Sequence, residues 1–207
     1  MFRLVNCDHQ HCTKSAIILP GEELHSGLRF CFDHNPDKKG LQLKIETYIR
    51  ENDTIVGLNA SGMSFSGMDF SGKRFYSCDF RNCIFLHITS SGCRIRMSFF
   101  DFARFINCAL VQSNFQYTSF GGAVMSSVVF TNSDLVHNNF NGLTAVQTSF
   151  DDSDLYNSRF IRARLLNTSF RNCNIKKTLF YEHTEENVSF KLSNTREAFF
   201  RLEDYEK

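Results

Sequence analysis

Three cysteines and several histidines crowd the first 34 residues, in NCDHQHC at 6–12 and CFDH at 31–34. Thiolate sulfur and imidazole nitrogen are the donors zinc prefers, and three of one with one of the other make a closed tetrahedral structural site. Cys7, Cys12, Cys31 and His34 are therefore the expected ligands. The second pair has finger-like spacing, whereas Cys7 to Cys12 is one residue wider than usual, so His9 and His11 compete as alternative ligands. A site closed by four protein ligands leaves no position for substrate, which makes the expected role structural. The intervening TKSAIILPGEELHSGLRF has few core-forming residues, and a metal would supply the missing folding energy.

Other chemistry is sparse. The chain has no Gly-rich phosphate loop, serine elbow or Cys/His nucleophile arrangement. Asp151, Asp152 and Asp154 cluster in sequence, but they occupy exposed positions around Phe150 and Leu155 and read as a solvated edge. His87, His137 and His183 share no spacing, and His183 falls where a core residue is expected. The chain is expected not to be an enzyme and to bind no small-molecule substrate.

The elements that must carry these residues follow an unusual period. Taking every fifth position from 60 to 200, 17 of 29 residues are Phe and the frame never slips. A helix would turn these side chains by about 500° per step, scattering them, and a continuous strand would send alternate ones to opposite faces. A chain that bends a quarter turn every five residues sends all of them to one axis. Four steps close a square coil of 20 residues, and the column Phe80, Phe100, Phe120, Phe140, Phe160, Phe180 and Phe200 then stacks along the core. The residue two places earlier is usually small. Cys78, Cys83, Cys93, Cys108 and Cys173 all take this slot, so they read as packing thiols, and five of them argue for a reducing compartment. Where the large residue is missing, at Ser90 and Ala145, Ile88 and Leu143 in the small slot replace its volume.

Units such as SDLVHNNFNG and SDLYNSRFIR resemble pentapeptide-repeat proteins, over residues 60–200. The resemblance implies an all-β solenoid, a right-handed quadrilateral parallel β-helix of about seven coils. The Cys/His segment is similar to small zinc knobs that precede such repeats in some bacterial members. The expected layout is a metal-stabilised segment at 1–39, a capping helix and linker at 40–54, the β-helix at 55–200, and a C-terminal cap or dimer contact at 201–207. Within the second segment, Leu41, Ile45, Tyr48 and Ile49 share a helix face suited to sealing the first coil.

Charge limits the functions. The family resemblance brings DNA mimicry towards topoisomerases to mind, which needs a strongly acidic rod, yet residues 60–200 carry 14 Lys/Arg against 11 Asp/Glu. Nucleic-acid binding through Arg94, Arg96, Arg104 and the later basic group lacks an exposed aromatic ladder. No apolar run is long enough for a membrane helix, and the N-terminus lacks a signal-peptide core, so a cytoplasmic protein is expected. What remains is a rigid scaffold that binds a protein partner, with a homodimer expected through the C-terminal end, where AFFRLEDYEK keeps Phe199, Phe200, Leu202 and Tyr205.

Overall fold

The computed structural model describes residues 5–22 and 27–205. Residues 1–4, part of 1–39 with its leader reading, and 23–26, within the same metal segment, lie outside the described residues. So do 206 and 207 of the expected C-terminal contact and the side chain of Tyr205.

From residue 54 onward the chain winds as a right-handed, roughly quadrilateral parallel solenoid of seven turns. Each residue pairs with the one 20 places on: Thr54 with Arg74, Arg74 with Arg94, and Phe65 with Phe85. Strands are three residues long with the middle side chain pointing inward, because the chain turns a corner on either side. One face is a seven-stranded sheet from Ser64–Ser66 to Thr184–Glu186. A second is a four-stranded sheet from Thr54–Val56 to Asn114–Gln116, continued by single bridges to Asn174.

A left-handed residue two places after each inward side chain accompanies these corners. Non-glycine residues here, among them Asn107, Asn132, Asn157 and Asn172, have φ between 49° and 67°. Asn and Gly recur at this position because they tolerate that conformation best. Phe102 takes it as well, and its ring lies over Gly122, where a Cβ would come within 2.7 Å of the ring.

The core is a set of aromatic stacks. In the Phe80 column, successive rings from Phe80 to Phe200 lie 4.6–5.2 Å apart and within 17° of parallel. Burying each ring contributes about 1.5–3 kcal/mol, and each stacked contact adds about 0.5–1.5 kcal/mol. Ile88 and Leu143 are buried, as volume compensation requires.

The small inward slot has a polar task too. Ser133 Oγ accepts the Ser113 N–H at 3.1 Å and donates to the Leu110 carbonyl at 3.2 Å. Cysteines in the slot make the equivalent contact, Cys83 Sγ to the Ala60 carbonyl at 3.0 Å and Cys173 Sγ to Phe150 at 3.1 Å. A polar residue here is held by donating to a buried carbonyl.

Helix α1 spans Lys38–Glu51 and begins two residues before the expected 40, because Asp37 caps it by accepting the Gly40 N–H at 2.8 Å. The first strand already starts at Thr54, within the expected linker. Ile45 and Ile49 are fully buried and join Ile55, Leu58, Ala60 and Met63 in the same core, so α1 caps the first coil. At its far end the buried Lys73 donates to the carbonyls of Arg50 and Asn52, both at 3.1 Å. That places a cation where the helix dipole is negative.

Towards the other end, Glu185 holds an inward slot but is exposed, and Phe190 and Phe200 are half-buried. His183 is also half-buried, with Nε2 3.1 Å from Glu185 Oε2 and its ring against Phe180 and Phe200. A short helix α2, Leu202–Tyr205, ends the described chain.

Candidate metal centre

The N-terminal head is a hairpin with an extended segment laid beside it. Cys7 N–H donates to the Lys14 carbonyl and Ala16 N–H to Val5, bringing Cys7 and Cys12 to the two sides of a tight turn. Asp8 N–H donates to the Arg29 carbonyl and Ile17 N–H to Phe30, which carries the following Cys31–His34 turn to the same place. Ile17 reaches the solenoid core and Asn59 Nδ2 donates to the Ala16 carbonyl at 2.9 Å, docking the head on the rod.

These constraints gather Cys7, Cys12, Cys31 and His34 so that one donor atom from each lies within 4.8 Å of all the others. Cys12 and Cys31 sulfurs are 3.9 Å apart, and His34 Nδ1 is 3.5 Å from Cys7 Sγ and 3.4 Å from Cys31 Sγ. A tetrahedron with ordinary zinc bond lengths has S···S edges of about 3.8 Å and S···N edges of about 3.6 Å. The donor set fits a metal ion in size as well as in kind. The head therefore carries a Cys3His metal-binding cluster.

One of the sulfurs, that of Cys7, is prepared for that role. Burial pushes the Cys7 thiol up, but the Cys31 and His9 amides and the His34 and Cys31 side chains outweigh it and bring it down to about 6. Burial pushes Cys31 up instead, with the neighbouring Cys7 and Cys12 sulfurs adding to the rise. Cys7 is thus the first of the pair to give up its proton, and a cation in the centre would favour the thiolate form of all three.

The competing histidines separate. His9 stacks on the His34 ring at 3.8 Å, with its Nδ1 3.1 Å from the Gln10 carbonyl oxygen, and steadies the ligand's plane. His11 is exposed, in a left-handed corner, outside the cluster. Sequence reasoning missed the supporting shell. Asp8 accepts from the Arg29 amide at 2.7 Å and from its guanidinium, and Asp33 pairs with Lys14 across the turn. Acidic residues beside Cys7 and between Cys31 and His34 were the available signal; their partners required the fold.

Elsewhere, candidate groups are absorbed by the rod. Asp151 accepts the Arg171 N–H at 2.8 Å, Asp152 accepts from Asn172 at 2.8 Å, and Asp154 accepts from Tyr156 N–H and Asn174. These carboxylates tie one coil to the next. The five repeat cysteines are buried, and burial pushes Cys78, Cys83 and Cys173 up to about 12. His137 stacks on the exposed Tyr117 at 5.0 Å.

The family model described as pentapeptide repeats matches in eight copies over residues 103–142 and 148–181. No curated protein matches the chain. Among solved structures, the chain is similar to the pentapeptide-repeat protein Rfr23 from the cyanobacterium Cyanothece, at 12% identity over 76% of this chain and 99% of that one, with a TM-score of 0.38. It is also similar to full-length QnrB1, a plasmid-mediated fluoroquinolone resistance protein, at 17% identity over 69% and 85%, with a TM-score of 0.42. The five-residue register that the family model matches is the one that winds every coil of this solenoid, and residues 103–142 and 148–181 are pentapeptide repeats.

Proposed function

We propose that the chain is a non-enzymatic rigid scaffold whose rod binds a protein partner. The observation that carries this reading is the seven-stranded face. Its outward positions include Ile84, Leu86, Ile106, Val124, Val146 and Leu166, aligned in rows by the coil register and all at least partly accessible. Aliphatic side chains in a flat row on an exposed sheet favour docking of another apolar surface. Arg104 and Arg164 stand in the same face, which speaks against DNA mimicry there.

The same proposal assigns zinc to the head cluster in a structural role, supported by its donor set and edge lengths. Residence in the cytoplasm belongs to it too, supported by the five buried thiols. So does end-to-end pairing of two copies through the C-terminal coil, supported by half-buried Phe190 and Phe200. No helix among the described residues is long and apolar enough to cross a membrane.

The test is nuclease-treated capture from lysate, comparing the full chain with an Ile106→Asp/Leu166→Asp variant. A protein enriched by the first and lost with the second supports the reading; equal capture, or loss with nuclease, overturns it. Metal analysis of the purified chain should find one zinc per chain, and none after Cys31→Ser with Cys7→Ser.

A further inference from the structure

The four-stranded face and its continuation carry a charge sequence with an internal symmetry. Reading one outward row up the rod, the residues are Arg74, Arg94, Asn114, Asp134 and Asp154. Two cations, a neutral amide and two anions follow one another at about 4.8 Å intervals. The parallel row two residues on reads Tyr76, Arg96, Gln116, Val136 and Tyr156. Among the described residues, no ion pair within the chain includes Arg74, Arg94, Arg96, Asp134 or Asp154, although seven other cationic side chains pair with carboxylates. Like charges instead sit on neighbouring strands, Arg74 by Arg94 and Asp134 by Asp154, an arrangement that costs stability in an isolated sheet.

Within the chain Asp134 accepts from Asn114 and Gln116, at 2.6 and 2.9 Å, through Oδ2.

We propose that this face binds a second copy of the chain, side by side and antiparallel, about a two-fold axis running along the Asn114–Gln116 strand. That operation reverses the order of the coils and keeps each row opposite itself. It sets Arg74 against Asp154 of the second copy, Arg94 against its Asp134, and Asn114 and Gln116 against their own counterparts. Arg96 comes opposite Val136 of the second copy, next to its Asp134. Tyr76 meets Tyr156 of the second copy at both ends, and the exposed Tyr117 lies at the corner beside the axis. One face of a square rod offers an interface only on the order of 1,000 Å2, the lower limit of specific contacts, so the pairing is weak and salt-sensitive. It leaves both the aliphatic face and the C-terminal end free.

Sedimentation equilibrium of the full chain tests this, using Arg94→Asp and Asp134→Arg. The wild type should self-associate at low salt, with its association constant falling at least tenfold as salt rises. Each variant alone places like charges across the axis and should lose that association, while an equimolar mixture restores complementarity at every position and should regain it. Regain in the mixture also shows that both variants are folded, and end-to-end contacts would be the same in all samples. An absence of salt-sensitive association in the wild type, or a mixture that sediments as the sum of its parts, overturns the proposal.

Discussion

Replacing Phe140 by Ala should cost the rod about 3–5 kcal/mol, the range for deleting a fully buried ring. Phe140 is inaccessible, stacked on Phe160 at 4.6 Å and Phe120 at 4.9 Å, with Phe150 edge-on at 5.8 Å. Those neighbours are held by ladders on either side and cannot slide in to close the gap, which puts the cost towards the top of the range. Phe200 makes the natural comparison. It is half-buried at the C-terminal end with one stacked neighbour, Phe180 at 5.2 Å, so Phe200→Ala should cost only about 1–2 kcal/mol. Phe140→Leu should cost about 1 kcal/mol, since Leu fills the equivalent slots at 135, 155 and 165. Urea unfolding measures all three as shifts in midpoint at unchanged slope. Equal losses at 140 and 200, or a Phe140→Ala loss below about 1 kcal/mol, would refute the stacked-column account of stability.

Three further outcomes follow from other parts of the molecule. Lys73→Met keeps the stem's packing but removes the donor to the Arg50 and Asn52 carbonyls; it should lower stability by about 1–2 kcal/mol, with faster amide exchange first at the end of α1. Gly122→Ala must place a Cβ against the Phe102 ring at a left-handed φ of 62°, so the melting temperature should fall, and Phe102→Ala in the same chain should recover part of the loss. In thiol titration at neutral pH, the five repeat cysteines should react only on unfolding. Chelation should expose Cys7 first, its thiol lying at about 6 against about 12 for Cys78, Cys83 and Cys173.

Much of the rod was legible because each inward side chain repeats one local problem. Phe140 and its column, and the exchange of volume between Ala145 and Leu143, follow from counting in fives. The cluster of donors was legible as a set, but where His9 and His11 would lie beside its cysteines was not: His9 stacks on the His34 ring, which depends on how the hairpin turns. Lys73 sits in a slot that elsewhere takes mostly Ser, Thr, Cys or Ala and no other Lys or Arg, and its role appears only once the end of α1 is placed above it. The row from Arg74 to Asp154 has the opposite history. Its residues are scattered over 81 positions and mean little until the 20-residue coil aligns them.

That alignment also restricts how such a chain can change in length. Inserting or deleting five residues would leave every later Phe pointing at the axis, and the core would accept it. All surface rows beyond that point, however, would be turned by a quarter of a revolution against those before it. Arg94 would then share its face with a different set of partners, and the aliphatic row would be broken in two. Only steps of a whole coil preserve both the core and the pattern written on its sides, so the fold tolerates growth in fives while its surface permits it in twenties.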